Sequence, residues 1–178
     1  AQGLDLSPVV LAGLDSATLQ RARTAVEAAG LEIGMLVAYP DFTHPDTSAR
    51  RRESGRVREL IGAAAELGAK FVRLTAGQAH PETGREVGID WAVEGLIGTL
   101  EAGRREGVQL VLENHSKPSI WTYPDFAWPA EIFLDIARRT EGTELGILFD
   151  TANPVARGDD PLGLLNAVVD RVRYVHAS

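Results

Sequence analysis

The chemistry legible in this sequence rests on Glu113, Asp150 and His176, which occupy matched positions. Each closes an apolar run of strand length. Val108–Leu112 runs into Glu113-Asn114-His115, Gly146–Phe149 into Asp150-Thr151-Ala152-Asn153-Pro154, and Val172–Val175 into His176. Side chains alternate along a strand, so Val111 shares a face with Glu113, Leu148 with Asp150, and Tyr174 with His176. Neighbouring strands lie about 4.8 Å apart, so strand-end heads on one side can meet around one ion. Two carboxylates and one imidazole make a mostly oxygen donor set. Such a set favours one hard divalent ion, Mn²⁺ or Mg²⁺, with Co²⁺ or Zn²⁺ as alternatives. Taken singly, each residue has a plainer reading: Asp150 caps the turn before Pro154, and His176 is a satisfied core histidine. Their coincidence on consecutive strands favours the metal reading.

These ends must be positioned by strands and helices. Further apolar runs lie at Leu31–Tyr39 and Lys70–Thr75, with a weaker one at Leu4–Val10. The runs do not alternate cleanly, as expected of parallel strands covered on both faces. Helical spacing separates them. A helix capped by Asp15 or Ser16 carries Leu19, Ala22, Val26 and Ala29 and ends at Gly30; the next carries Val57, Leu60, Ile61, Ala64 and Leu67 before Gly68. A third places Val93, Leu96, Ile97 and Leu100 together with Asp90 as cap, and a fourth starts near Pro129 with Ile132, Phe133, Ile136 and Ala137. A fifth has Asp160 as cap and Pro161 at its first position, with Leu164, Leu165, Val168 and Val169 inside.

Repeated strand–helix alternation means α/β with a parallel sheet. An open doubly wound sheet and a (β/α)8 barrel compete. No Gly-rich phosphate loop follows any run, which weakens the open-sheet reading. A barrel takes about 250 residues, and this chain has 178. The expectation is therefore one partial TIM-barrel domain over residues 1–178, with about six β/α units and the first and last strands missing. The chain starts at Ala1 without Met and stops directly after an apolar run, which fits that reading.

Composition narrows the function. With 18 Lys+Arg against 25 Asp+Glu the formal charge is −7, which disfavours a nucleic-acid partner. Cysteine is absent, so disulfides, thiolate nucleophiles and Cys-ligated metals are excluded. No uncharged stretch of about 18 apolar residues suggests a membrane span, and no leader is visible, so a cytoplasmic location is expected.

The segments Leu110–His115, Leu148–Pro154 and Tyr174–Ser178 resemble the xylose isomerase-like TIM barrels, in particular the sugar phosphate isomerase/epimerase group that includes ketose 3-epimerases. The repeating unit fits nearly the whole chain, but the specific motifs cover only its second half. The resemblance implies Glu113, Asp150 and His176 as ligands of one divalent metal, and a small-molecule carbohydrate as substrate. It also implies proton abstraction next to a carbonyl through a metal-stabilised enediolate, with Glu113 moving the proton on one face. The family's fourth ligand, a second Glu on the last barrel strand, has no counterpart before the chain stops. Weak or absent turnover is therefore expected of this chain alone. The epimerase form of the Asp motif carries His three residues after the Asp, where this chain has Asn153.

Several other residues invite a role. His115 shares the face of Glu113 and either hydrogen-bonds a substrate hydroxyl or packs on Trp121. Asn153 stands where the family makes a substrate or metal contact, against a plain turn residue before Pro154. Arg73, mid-strand, is expected to pair with an inward carboxylate such as Glu113 rather than reach an anionic substrate. Aromatic rings of Tyr39–Pro45 could stack on a sugar, and Trp121–Trp128 reads as a lid or an oligomer contact. The basic run Arg50-Arg51-Arg52 with Arg56 and Arg58 reads chiefly as a solvated helix face.

The leading reading is a metal-dependent isomerase or epimerase of a sugar, sugar phosphate or polyol. An inosose-type dehydratase of the same superfamily is the near alternative. A non-catalytic fragment that self-associates through open sheet edges is the distant one, and a homo-oligomer is compatible with either. An endonuclease IV-like repair enzyme is disfavoured by the charge, by the presence of only four histidines and by Asn153.

Overall fold

The computed structural model describes residues 3–116, 118 and 120–177; Ser178, the last residue of the third resembling segment, lies outside them. The strands are β1 (Gly3–Leu6), β2 (Glu32–Val37), β3 (Phe71–Leu74), β4 (Gln109–Glu113), β5 (Gly146–Asp150) and β6 (Val172–His176). They pair in parallel in strict chain order. Doubly wound sheets reverse their order at a switch point; this sheet does not, and it curls into an incomplete (β/α)8 barrel.

The helices are α1 (Ser16–Ala28), α2 (Thr47–Leu67), α3 (Arg85–Glu106), α4 (Ala130–Arg139), α5 (Ala152–Arg157) and α6 (Pro161–Val168). Asp15 caps α1 by accepting from Thr18 N at 3.1 Å, and Asp160 caps α6 from Leu162 N at 3.0 Å, with Pro161 next. Gly68 ends α2 in the left-handed region, at φ 78°.

Four expectations shift. Val169, expected inside the last helix, lies past its end in a 3-10 turn and is exposed. The run Leu4–Val10 is a strand only to Leu6, and Pro8–Val10 form a 3-10 turn. Asp90 is not a cap: α3 starts five residues earlier behind Gly84, and Asp90 lies within the helix, paired with Arg139. The face that α3 buries is Gly88, Ile89, Ala92, Leu96, Thr99, Ala102 and Gly103, while Ile97 is exposed. Small residues line that face because aromatic rings fill it. A Cβ on Gly95 would meet Phe42 at 2.4 Å, and one on Gly88 would meet Phe126 at 2.3 Å.

The sheet packs on both faces. Outward residues such as Leu36, Val72, Leu74, Leu110, Leu112, Ile147 and Phe149 join the helices in the main core. Inward residues form a smaller cluster of Met35, Val37, Val111 and Leu148, with Phe71 and Tyr174 against it. Two bulges keep the inward set in register. Between β1 and β2 the pairing skips Gly34, so Asp5 opposes inward Met35. Between β5 and β6 it skips Arg173, so Tyr174 opposes Leu148 and His176 opposes Asp150. Paired residues of parallel strands face the same side, so the second bulge turns His176 into the barrel.

Candidate metal centre

Glu113, Asp150 and His176 end β4, β5 and β6 on the inner side of the rim that a barrel uses for chemistry. One ligand atom from each lies within 4.8 Å of the others. His176 Nδ1 faces the carboxylates, 3.3 Å from Glu113 Oε1 and 4.0 Å from Asp150 Oδ2. Metal bonds of about 2.0–2.2 Å hold ligand atoms somewhat closer than this, a difference within reach of small side-chain rotations. Two carboxylate oxygens and one imidazole nitrogen on one point fit a divalent ion.

Each ligand is held from behind. Asp150 divides its carboxylate: Oδ1 accepts from Ala152 N at 2.8 Å and Asn153 N at 2.9 Å, capping α5, which leaves Oδ2 toward the centre. The plain reading of Asp150 as a cap therefore holds for Oδ1, and it leaves Oδ2 uncommitted to the cap. Asn114, buried beside Glu113, exchanges two bonds with the backbone of Asp150, donating Nδ2 to its carbonyl at 3.0 Å and accepting its N–H at 2.7 Å. That pair fastens the end of β4 to the end of β5, a role not legible in the sequence.

Arg73 pairs as expected. Its Nε lies 3.0 Å from Glu113 Oε2, both side chains 3% exposed, although the N–H is not aligned for a hydrogen bond. The guanidinium also donates to the carbonyl of Ala38 and lies 4.1 Å from the Tyr39 ring centre. Burial pushes Glu113 up, but the bond from His176 and the charge of Arg73 outweigh it, so the carboxyl sits below its ordinary range. Asp5, which no motif marked, accepts from His176 Nε2 at 2.9 Å through Oδ2. Bonds to Asp5 and then Glu113, against the cost of burial, raise His176 to about 9.

His115 is half-enclosed beside the centre, its ring edge-on to Tyr39 at 5.9 Å. Burial lowers it to about 4, so it is neutral at physiological pH. Its Nδ1 lies 3.9 Å from Oδ2 of Asp125, whose carboxyl is fully buried and pushed well up by that burial. Asn153 lines a small cavity with Asn114, Trp128 and Arg157.

The expected aromatic rim is different from the sequence reading. Phe42 is core, and Tyr39 spends its face on Arg73. Trp121, Phe126 and Ala127 are buried rather than displayed as a surface cluster. Gln78 pins this segment: its Oε1 accepts from Thr122 N at 2.9 Å and Tyr123 N at 3.2 Å, while its Nε2 donates to Asp41. The basic run is partly engaged. Arg50 lies 3.7 Å from the Trp91 ring centre and donates to the carbonyls of His44 and Pro45, and Arg58 donates to Gly98.

A curled parallel β/α sheet with a carboxylate–imidazole cluster at consecutive strand ends defines a barrel-type β/α architecture. More narrowly, residues 2–178 match the family model described as xylose isomerase-like TIM barrel, and the chain belongs to that family. A search of curated proteins gives no match. Among solved structures, a D-tagatose 3-epimerase-like protein superposes with TM-score 0.80 at 18% identity, over 99% of this chain and 67% of its own. D-psicose 3-epimerase from Clostridium cellulolyticum H10 gives 0.78 at 12%, over 98% and 62%. A probable 3-DHS dehydratase from Bacillus anthracis gives 0.68 at 15%, over 98% and 62%. The chain thus spans about two thirds of these structures or somewhat less, and at such identities the likeness concerns the fold. Among the described residues, no helix is long and apolar enough to cross a membrane.

Proposed function

We propose that this chain carries the metal site of a divalent-metal-dependent sugar isomerase or epimerase working by proton transfer next to a carbonyl. The observation that supports it is the approach of Glu113 Oε1, Asp150 Oδ2 and His176 Nδ1 to one point on the rim. These three would hold the ion, Mn²⁺ or Mg²⁺ in preference to Co²⁺ or Zn²⁺ for an oxygen-rich set. When bound, a divalent ion supplies electrophilic polarisation of carbonyl and hydroxyl oxygens.

The chain's own residues do the rest. Glu113 removes or returns the proton on one face of the substrate, and Arg73 keeps it charged and fixed in orientation. A low carboxylate pKa makes it a weak base, so the site depends on acidification of the substrate C–H and exclusion of water. His115, neutral through burial, exchanges a hydrogen bond with a substrate hydroxyl. Asn153, three residues past Asp150, is assigned a second polar contact to substrate.

Calorimetric titration with Mn²⁺ and Mg²⁺, followed by proton–deuteron exchange at C–H positions next to the carbonyl of ketoses, tests the reading. Ion binding abolished by Asp150→Ala is expected, with at most slow solvent exchange into one ketose on the face that Glu113 serves. Absence of ion binding by the unsubstituted chain refutes it. An inosose-type dehydratase remains the second reading, supported by the likeness to the dehydratase fold; loss of water from the product separates the two.

A further inference from the structure

We infer that Asp5 is a positioning residue for the metal centre: its carboxylate fixes His176 so that Nδ1, and not Nε2, is presented to the ion. This rests on the metal reading above. The two ring nitrogens of His176 have different partners. Nδ1 faces Glu113 Oε1 and Asp150 Oδ2, while Nε2 lies 2.9 Å from Asp5 Oδ2 on the opposite side of the ring. A carboxylate can only accept, so Nε2 carries the proton and Nδ1 offers its lone pair once deprotonated. A backing carboxylate of this kind fixes tautomer and ring direction and raises ligand basicity.

Asp5 is itself built into place. Its other oxygen, Oδ1, accepts from the Tyr174 hydroxyl at 2.9 Å. Tyr174 stands two residues before His176, and its ring is held edge-on between Phe71 at 5.4 Å and His176 at 5.8 Å. Gly34 leaves the room: a Cβ there would lie 3.3 Å from the Tyr174 hydroxyl and 3.5 Å from Asp5 Oδ1. Gly34 is also the residue skipped in the β1–β2 register, and Arg173 is skipped in β5–β6. One bulge sets Asp5 beside inward Met35, and the other sets Tyr174 and His176 inward. Asp5 is not a ligand in this arrangement, because its oxygens lie behind the imidazole.

The test measures Mn²⁺ affinity by calorimetry and the His176 Nε2–H proton by NMR in the full chain and its variants. Asp5→Ala is expected to weaken Mn²⁺ binding about 10–100-fold and to remove the slowly exchanging, downfield Nε2–H signal. Tyr174→Phe, which frees one oxygen of Asp5, is expected to lose less. Asp5→Asn keeps the shape and an acceptor oxygen but not the charge. It serves if Asp5→Ala fails to fold, and a loss of several-fold is expected. A merely structural tie would lower the melting temperature without changing Mn²⁺ affinity. Folded Asp5→Ala and Asp5→Asn chains that bind Mn²⁺ within twofold of the unsubstituted chain, or a folded Asp5→Ala chain that keeps the Nε2–H signal, overturn the inference. If the unsubstituted chain binds no Mn²⁺ at all, the metal reading falls and takes the role of Asp5 toward the ion with it. If it binds Mn²⁺ and only the Asp5 variants show no effect, this inference alone fails.

Discussion

Metal binding should be strongly pH-dependent, because the ion must displace a proton from His176. Held between Asp5 and Glu113, this imidazole titrates at about 9 in the metal-free chain. Only the deprotonated ring can ligate. At pH 7 roughly one molecule in 100 has that form, so apparent affinity lies about 100-fold below its limit. It should rise about tenfold per pH unit from pH 6 to about 8.5 and level off above about 9. Glu113, below its ordinary range, and His115, at about 4, do not change charge in that window, so neither contributes to the slope assigned to His176. Calorimetry in buffers of different ionisation enthalpy counts the protons, and about one released per ion at pH 7 is expected. The same sign governs the metal-free fold. A His raised from 6.5 to about 9 stabilises the folded state fully below pH 6.5, and that contribution is lost as pH passes 9. An affinity that changes less than twofold between pH 6 and 8, with no proton release, would refute the reasoning.

Other substitutions have definite expected outcomes. Arg73→Met leaves buried Glu113 without its guanidinium and should cost about 3–5 kcal/mol in urea unfolding; a loss under about 1 kcal/mol would show that the pair is screened. Gly95→Ala drives a methyl into the ring of Phe42 at 2.4 Å and should destabilise by about 1–3 kcal/mol in the same assay. Asn114→Leu removes both bonds to the Asp150 backbone. It should cost about 1–3 kcal/mol, and calorimetry should show weaker Mn²⁺ binding as Asp150 loosens. Gln78→Ala frees the amides of Thr122 and Tyr123, so hydrogen exchange in that segment should accelerate while β4 and β5 stay protected.

The sequence carried the strands and the convergence of Glu113, Asp150 and His176 because both are written in local order. Alternation within one strand suffices to align Leu148 with Asp150 and Tyr174 with His176, and the structure keeps that alternation. Relations between strands are another matter. A one-residue slip reverses which face a side chain takes, and the skips at Gly34 and Arg173 have no local signature. Asp5 therefore gave no sign of reaching a histidine 171 residues away. Apolar periodicity places the start of α3 too late because its buried face mixes Gly88, Ala92, Ala102 and Gly103 with only Ile89 and Leu96 as large apolar residues, so the pattern falls on Val93, Ile97 and Leu100. Trp121 and Phe126 resembled a surface cluster since composition does not reveal the notch at Gly88 that takes Phe126, nor the clamp by Gln78.

Asp150 has one oxygen committed to the first amides of α5 and the other turned to the rim. The short helix is thus a lever arm on that carboxylate. Its C-terminal residue Arg157 is roped to the Trp128 carbonyl and to Asp159, so the loop leading into α4 and the loop leading into α6 both pull on the same carboxylate. Loop exchange at either place, the usual route by which barrels change substrate, would here also shift the aim of the Asp150 carboxylate at the rim.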